Sequence, residues 1–377
     1  MLSLYVHLPW CVRKCPYCDF NSYTAGDDVP RERYVRALIT DIERESARAP
    51  DSPLGSVFLG GGTPSFFPPA DIARIMQAIR GAFDIASGAE ITMEANPGTV
   101  ESGSPAGYRD AGINRLSLGA QSFDDTMLKR LGRLHGVADI ERSFADAREA
   151  GFDNVNIDVM FALPGQTIDA ALKDLEAAAR LEPEHISWYQ LTLEPNTVFH
   201  ARPPRDLPVA EDAWDMQLAG QAALDASGFQ QYEVSAYAKP GRQCRHNRNY
   251  WEFGDYLAVG AGAHGKLTGD GGPMRYQKAA NPLAYMAAME SGALPELQPV
   301  AAKDRPFEFM LMATRLSDGF ELAQFEAATG LPAAELERRL ASTLSKGLLE
   351  QTDSTRFRAS DLGRRFLNDL QADFLPD

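Results

Sequence analysis

Three cysteines lie close together near the start of the sequence, within "HLPWCVRKCPYCDFNSY" (residues 7–23). Cys11, Cys15 and Cys18 have the spacing C-x3-C-x2-C, and the remaining cysteine is Cys244. In a large protein of a reducing compartment, clustered thiolates indicate zinc, copper(I) or an iron–sulfur cluster rather than disulfides. The spacing therefore predicts a metal centre with three thiolate ligands.

Two kinds of centre fit these ligands. A structural zinc site needs four protein ligands, so Cys244, His7 or His246 would have to be brought in by folding. A cubane iron–sulfur cluster uses one thiolate per iron, so three thiolates leave one iron free to bind a group that is not protein. We favour the cluster, because the vacant iron explains why no fourth cysteine lies nearby.

A glycine-rich segment, "GGGTPS" (residues 60–65), is a second candidate for ligand binding. Glycines let the backbone approach a ligand closely and leave amide N–H groups as donors. A dinucleotide fingerprint is disfavoured, because Ser65 stands where glycine or alanine is needed and Pro64 interrupts the helix start. A simple tight turn is the alternative. The candidate contacts are Gly61, Gly62 and Thr63.

Short β-like runs alternate with helical runs in the first two thirds of the chain. An apolar stripe of Tyr34, Leu38 and Ile42 is typical of one of the helices. The alternation predicts an α/β fold, a partial (β/α)6 barrel of right-handed βαβ units with its site at the carboxyl ends of the strands. The predicted strands cover residues 2–8, 56–60, 90–94, 114–119, 154–160 and 185–193.

Four polar residues, Glu94, Gln121, Arg133 and Asp158, occur at or beyond the predicted strand ends. Each alone is equally consistent with a solvated surface or a helix cap. Together they offer carboxylates for hydroxyl or amino groups, an amide, and a guanidinium for a carboxylate. We therefore expect one shared site that also contains the cysteines and the glycine-rich segment.

The last third of the chain has a different pattern. Residues 268–273, "TGDGGP", and 291–306 resemble loop or linker, and we divide the chain into a core of residues 1–285 and a domain of residues 286–377. Helices at 306–316, 321–328 and 333–347, a hairpin at 348–360 and a last helix at 361–374 predict a winged-helix-like domain. DNA binding is disfavoured, because residues 303–377 carry 10 basic and 13 acidic side chains.

Composition excludes several classes of protein. The net charge of -15 over 377 residues argues against affinity that comes from neutralising phosphates, so nucleic acid is not an expected partner. The amino terminus has no basic leader, and no run of 18 apolar residues predicts a spanning helix. We expect a cytoplasmic protein, with peripheral membrane contact left open.

The cysteine spacing, with Tyr17 just before the third cysteine, resembles the radical S-adenosylmethionine (SAM) superfamily. The resemblance implies a [4Fe–4S] cluster on Cys11, Cys15 and Cys18, whose open iron is chelated by the amino and carboxylate groups of SAM. An electron from the cluster would cleave the sulfonium and give a 5'-deoxyadenosyl radical. The protein would position SAM and exclude water and oxygen.

Further motifs, among them "YVHLPWC", "EANPG", "GAQSF" and "YQLTLEPNT", are similar to the branch that contains oxygen-independent coproporphyrinogen III oxidases and HemW-type heme chaperones. Ala162 stands where glycine is common, which should only tighten that turn. Phe20 replaces a further cysteine of the oxidases, and their long extension before Tyr5 has no counterpart, so both differences favour the chaperones. The implied SAM contacts are Tyr5, Tyr17, Gly61, Gly62, Thr63, Glu94, Gln121, Arg133 and Asp158.

The segment "CRHNRNYW" (residues 244–251) fits the HNxxYW pattern associated with heme binding in that branch. The resemblance implies His246 as the axial ligand of heme iron, with Asn247, Tyr250 and Trp251 in support. A histidine satisfied within a loop is the alternative, and His264 is a second candidate ligand. Cys244 stays open as a buried thiol, a heme thiolate or a conditional cluster ligand.

The resemblance implies a heme chaperone that binds heme, a [4Fe–4S] cluster and SAM and transfers heme to apoproteins. Turnover of SAM is left open, as is a homodimer, because the cluster could gate dimerisation or heme transfer without catalysis. One alternative is radical decarboxylation of coproporphyrinogen III propionates. The other is a zinc-stabilised interaction protein.

Overall fold

The computed structural model describes residues 1–98 and 104–376. The strands are β1 Leu2–Leu8, β2 Trp10–Cys11, β3 Tyr23–Thr24, β4 Leu54–Gly61, β5 Ile85–Ala95, β6 Arg115–Gln121, β7 Val155–Phe161, β8 His185–Gln190, β9 Gln230–Glu233, β10 Ala236–Ala238, β11 Asp255–Val259, β12 His264–Gly269, β13 Gly272–Gln277, β14 Gln298–Pro299, β15 Phe320–Glu321, β16 Leu349–Gln351 and β17 Arg356–Ala359. The helices are α1 Arg31–Ser46, α2 Pro69–Ala82, α3 Pro105–Ala111, α4 Asp125–Arg130, α5 Val137–Glu149, α6 Ile168–Arg180, α7 Val198–Ala201, α8 Ala210–Ala226, α9 Arg245–Trp251, α10 Pro282–Ser291, α11 Arg305–Ala313, α12 Leu322–Thr329, α13 Ala333–Ser345, α14 Asp361–Arg365 and α15 Leu367–Ala372, with a 3-10 turn at Pro64–Phe66.

One large sheet organises the core. Among the described residues its strand order is β14-β13-β12-β11-β1-β4-β5-β6-β7-β8-β10-β9. The strands from β11 to β8 in this order run parallel to their neighbours, and the flanking strands are antiparallel. Parallel neighbours need long crossovers, which the intervening helices supply. The fold is the predicted partial parallel barrel with further strands on both flanks.

Alternation along each parallel strand separates two environments. On β1 the side chains of Leu2, Leu4, Val6 and Leu8 belong to the main hydrophobic core, whereas Ser3, Tyr5 and His7 point to the opposite face. The same alternation places other polar side chains on the inner face: Glu90, Thr92 and Glu94 on β5, Arg115 and Ser117 on β6, and Asn156 and Asp158 on β7. The barrel interior is therefore polar, and the apolar core lies between sheet and helices.

Helix α1 illustrates how the outer layer is held. The predicted stripe of Tyr34, Leu38 and Ile42 is fully buried, as the periodicity indicated. The same helix carries Asp41 and Glu45, which both lie 2.6 Å from the Nζ of buried Lys278. The pairing compensates the cost of burying these charges and ties α1 to the chain after β13.

Most of the helices and strands between residues 198 and 299 were not predicted from the sequence. The segment "TGDGGP" was predicted as loop or linker, but Gly269 and Gly272 close a hairpin between β12 and β13 within the large sheet. The linker prediction is wrong there, because consecutive glycines can form a tight turn between strands as well as a flexible connection. Ala162 has a φ of 55°, which explains why glycine is common at its position.

The C-terminal part has the predicted winged-helix-like order of elements. Helices α11, α12 and α13 pack on the three-stranded sheet β15-β17-β16 around Phe309, Phe325 and Leu336. The prediction of a single helix at 361–374 is wrong, since the helix is interrupted at Phe366, between α14 and α15. Phe366 has φ -114° and ψ 48°, outside the helical region.

Helix α10 spans the position at which the domains were divided, between residues 285 and 286. Its Tyr285 donates to Asp41 of α1 at 2.8 Å, and its Glu290 pairs with Arg33, which also lies on α1. The division of the chain stays a prediction, but α10 as a whole packs with the core. No helix among the described residues is long and apolar enough to cross a membrane.

Candidate functional site

The cysteine loop, residues 9–25, follows β1, and its two ends lie next to each other. Its ends pair as the short parallel strands β2 and β3, and Ala25 N–H donates to Cys11 O at 2.8 Å. Within the loop, Cys18 N–H donates to Cys15 O at 3.2 Å, which is a turn that keeps these two residues near each other. The three thiols are thus presented from one closed loop.

Asn21 anchors the cysteine loop to the rest of the barrel. Its Nδ2 donates to Ala261 O and to Ala280 O, both at 2.9 Å, and its carbonyl oxygen lies 2.8 Å from His7 Nε2. These contacts join the loop to β1 and to the segments that flank β12 and β13. The position of the thiols is therefore set by the sheet.

The three thiols line one cavity at the carboxyl ends of the parallel strands, which we call the thiol cavity. Its volume is about 1160 Å³, counting space open to solvent, which is enough for a small-molecule cofactor. The structure brings eight of the predicted SAM contacts to this cavity, and their binding roles stay predictions. They are Tyr17, Gly61, Gly62, Thr63, Glu94, Gln121, Arg133 and Asp158.

Two of the three alternative zinc ligands, Cys244 and His246, lie elsewhere, and the third, His7, lies on β1. Cys244 is fully buried before α9, with its Sγ 3.3 Å from Glu90 Oε1, and burial raises the pKa of its thiol to about 12. Neither residue lines the thiol cavity. Among residues 1–98 and 104–376, no group of three or more His, Cys, Asp or Glu side chains is arranged to hold a single metal ion.

The glycine-rich segment uses its backbone donors inside the protein. The N–H groups of Gly61, Gly62 and Thr63 are all hydrogen-bonded, with Glu94 Oε2, Leu8 O and Trp10 O as acceptors at 3.1, 2.8 and 2.9 Å. The expectation that these N–H groups are free for a ligand is therefore wrong. They instead join the end of β4 to β5, to the end of β1 and to the start of the cysteine loop.

Two half-buried carboxyl groups, those of Glu94 and Asp158, face the thiol cavity. Burial, reinforced by the nearby Asp158, raises the pKa of Glu94 to about 8. Burial also raises the pKa of Asp158, although Asn156 Nδ2 and Ser117 Oγ donate to its oxygens at 2.8 and 3.2 Å. Two carboxyl groups that resist ionisation next to each other form a site where a cationic ligand is stabilised.

Arg133 connects the strand ends to a cysteine. Its Nη2 donates to Asn96 Oδ1 and to Gly119 O, both at 2.7 Å, and its Nη1 lies 3.5 Å from Cys15 Sγ. The guanidinium is thus fixed by two oxygens while it faces a thiol. A positive charge at this place favours an incoming carboxylate.

Gln121 ends β6 in a strained conformation, with a φ of 74°, and its Oε1 accepts a hydrogen bond from Tyr189 at 2.7 Å. Asn96 donates to Thr63 Oγ1 at 3.0 Å while it holds Arg133. Tyr189 and Asn96 also line the cavity, although neither was predicted as a site residue. The rule that selected Glu94, a polar residue at a strand end, also applies to them.

Tyr5, the ninth predicted SAM contact, lines a neighbouring cavity of about 870 Å³, counting space open to solvent, which we call the aromatic cavity. The two cavities share Phe20, Gly61 and Glu94 as lining residues. The other residues of the aromatic cavity are His7, Asn21, Tyr250, Tyr256, Gly262, Ala263 and His264. Aromatic rings and imidazoles thus border the SAM contacts directly.

His246 is inside the barrel rather than at a cavity wall. Glu90 Oε1 accepts from the N–H groups of Arg245 and His246, which draws the start of α9 into the polar interior. The imidazole is 2% exposed, and its Nδ1 and Nε2 lie 3.0 and 3.1 Å from Ser56 Oγ and Tyr250 OH. Burial lowers its pKa to about 3, so the ring is neutral.

The other residues of the heme-binding pattern diverge along α9. Tyr250 reaches the aromatic cavity, whereas Trp251 packs under the guanidinium of Arg315 at 4.2 Å. Arg248, on the same helix, pairs with Asp318 at 2.6 Å. The C-terminal domain therefore braces the helix that carries this pattern. Asn247 lies at a half-buried position on α9 and lines neither cavity.

Comparisons with known proteins extend over the whole chain. The model of the Radical SAM superfamily matches residues 5–178, and that of the HemN C-terminal domain matches residues 300–366. The heme chaperone HemW of Haemophilus influenzae is 45% identical, covering 100% of this chain and 98% of its own length. HemW of Escherichia coli is 44% identical with the same coverage, and HemW of Bacillus subtilis is 32% identical over 94% of each chain.

Among solved structures, coproporphyrinogen III oxidase (HemN) from Escherichia coli, a radical SAM enzyme, superimposes with a TM-score of 0.81. The match covers 99% of this chain and 89% of that chain at 24% identity. At this level of identity the likeness shows a common fold.

Proposed function

Because this chain belongs to the HemW family of radical SAM proteins, as its motifs indicated, we propose that it is a heme chaperone. It binds heme and a SAM-chelated [4Fe–4S] cluster and transfers the heme to apoproteins. The observation that carries the proposal is the pair of adjoining cavities, one with three thiols and one with aromatic walls, which share Phe20, Gly61 and Glu94. Heme and cluster cofactor would be held side by side.

The donor set of the thiol cavity fits an iron–sulfur cluster. Cys11, Cys15 and Cys18 line one cavity from one closed loop, so each can ligate a different iron and leave the fourth to SAM. When bound, the cluster supplies an electron-transfer centre next to the SAM sulfonium. Such thiol ligation needs a reducing compartment, so a cytoplasmic location is part of the proposal. A homodimer and peripheral membrane contact stay predictions.

The residues around the thiols complement SAM by charge. Glu94 and Asp158 stabilise cationic groups or accept from hydroxyls, and both carboxyl groups are half-buried with raised pKa values. Arg133, next to Cys15, is suited to the carboxylate of a ligand at the open iron. The remaining proposed SAM contacts are Gln121, Tyr5, Tyr17, Gly61, Gly62 and Thr63.

The aromatic cavity is the proposed heme site. Tyr5, Phe20, Tyr250 and Tyr256 offer ring faces and edges for a flat macrocycle, and Phe20 is 59% exposed. His246 holds the hydroxyl of Tyr250 at 3.1 Å, so α9 contributes to the wall of the site. The contribution of Asn247 stays a prediction.

A single anaerobically reconstituted preparation tests the function. We expect it to bind heme in a titration, to pass heme to a heme-free globin, and to form no protoporphyrinogen from coproporphyrinogen III when SAM and a reductant are present. The second assay matters because the fold is shared with an oxidase. Sustained protoporphyrinogen formation would replace the chaperone by the oxidase, and absence of heme binding would remove the proposal.

A further inference from the structure

The six histidines of the chain differ in whether a ring nitrogen is available to bind iron. His7 has Tyr5 OH and Asn21 O as partners at 3.0 and 2.8 Å, and buried His185 likewise has a partner at each nitrogen. The buried rings of His135 and His246 are also hydrogen-bonded. His7, His185 and His246 thus have a partner at each ring nitrogen and cannot bind a metal without losing one. His135 is bonded through Nε2 to Ala120 O and lines neither cavity.

His246 is fixed most clearly. Ser56 Oγ donates to Ser3 Oγ at 2.8 Å, so it accepts from His246 Nδ1–H at 3.0 Å. Nε2 must then carry the lone pair, and it accepts from Tyr250 OH at 3.1 Å. A bond from this nitrogen to iron would break the contact with Tyr250 and require heme iron to enter a position that is 2% exposed.

Two exposed histidines remain, and their positions differ. His200 lies on α7, its Nδ1 is 3.0 Å from Leu193 O, and it lines neither cavity. His264 begins β12 and lines the aromatic cavity. Its ring nitrogens have no hydrogen-bond partner among the described residues. Burial and the nearby Arg275 lower its pKa, so the imidazole is neutral and has a lone pair for a metal.

The backbone holds His264 in place. Gly262, with a φ of 75°, lies against Asn21 of the cysteine loop, and its N–H donates to Ala279 O at 2.9 Å. Lys278 N–H donates to Ala263 O at 2.9 Å. His264 therefore projects from a turn that is packed directly on the loop of the three cysteines.

We propose that His264 is the axial ligand through which the aromatic cavity binds heme iron. The inference rests on the proposed function, since it names the iron ligand of the same heme site. It changes the role of His246 from ligand to positioning residue, which acts by holding Tyr250. Phe20, which lines both cavities, would then separate the macrocycle from the cluster cofactor.

The test is a heme titration of the reconstituted full-length protein, monitored as the difference spectrum against the same heme-free preparation. His264→Ala should weaken heme binding about tenfold or more and shift the Soret band, while iron and sulfide content stay as in the wild type. Added imidazole should restore the Soret position, because it can enter the space that the side chain leaves. His200→Ala, which removes an exposed histidine outside the cavities, is the matched control and should bind heme like the wild type.

The outcomes separate the two proposals. If the wild-type protein binds no heme, the chaperone function fails and the ligand assignment fails with it. If the wild type binds heme and His264→Ala gives the same affinity and the same Soret band, the function stands and the assignment to His264 is wrong. His264→Gln, which keeps a polar side chain of similar size at this exposed position, provides a second variant should the alanine protein lose its cluster.

Discussion

We expect the carboxyl group of Glu94 to destabilise the cofactor-free protein. The same group is expected to contribute to SAM binding. The carboxyl group is half-buried near the end of β5, accepts from Gly61 N–H at 3.1 Å, and lies close enough to Asp158 for the two to repel each other when charged. Glu94→Gln removes the ionisable group but keeps an oxygen that can accept from Gly61. We therefore predict a more stable protein that binds SAM more weakly.

The magnitude follows from the pKa of Glu94, which is about 8 in the folded protein against an ordinary value of 4.5. Between these values the unfolded chain has lost the proton and the folded chain keeps it. The folded state then binds more protons, so its free energy of unfolding falls by about 1.36 kcal/mol per pH unit as the pH rises. From about pH 5.5 to about pH 7.5, the advantage of Glu94→Gln over the wild type should grow by about 2 to 3 kcal/mol.

Urea denaturation of the reduced, cluster-free protein at these two pH values measures this difference. Glu337→Gln, the same substitution at an exposed position of α13, is the matched control. A titration of the cluster-loaded variant with SAM measures the second effect, a loss of affinity. The reasoning is refuted if Glu94→Gln is less stable than the wild type at about pH 7.5, or if its advantage does not change with pH.

Three further substitutions test other parts of the account. Gly62→Ala should lower the iron and sulfide content, because a Cβ there would lie 2.8 Å from Pro9 C and displace the cysteine loop. The control Gly81→Ala has open space around it and should retain its iron and sulfide. Equal iron content in the two variants would contradict the prediction. Lys278→Met should lower the free energy of unfolding by about 3 to 5 kcal/mol in urea denaturation, since Asp41 and Glu45 would stay buried without the ammonium group that pairs with both of them. A change below about 1 kcal/mol would speak against the buried triad. His246→Ala should weaken heme binding through the loss of its contact with Tyr250 but leave the Soret position and the iron content unchanged; a shifted Soret band would return His246 to the role of iron ligand.

Much of the core could be predicted because its strands are largely buried and alternate with long helical crossovers. All six predicted core strands exist, although β5 begins earlier and β8 ends earlier than the pattern indicated. The strands between residues 230 and 299 could not be predicted in the same way. They are short, and some, such as "QQYE" at 230–233, are polar, so neither alternation nor an apolar run marks them.

The site residues could be predicted where their position depends only on the ends of the parallel strands. Parallel strands end at one edge of a sheet, so Glu94, Gln121 and Asp158 had to meet there once the strands were recognised. The other features of the site depend on hydrogen bonds between residues that are far apart in the sequence. Nothing local to the glycine-rich segment shows that its N–H groups donate to Glu94, Leu8 and Trp10. Likewise, the burial of His246 depends on Glu90, a residue 156 positions away along the chain.

The most direct test of the account is electron–nuclear double resonance on the reduced protein, with SAM labelled in its amino group. We predict a hyperfine coupling between the cluster and the labelled nitrogen, because the three thiols of the cysteine loop leave one iron for that group. A reduced cluster without this coupling, or a reconstituted protein that holds one zinc and no sulfide, would contradict the account.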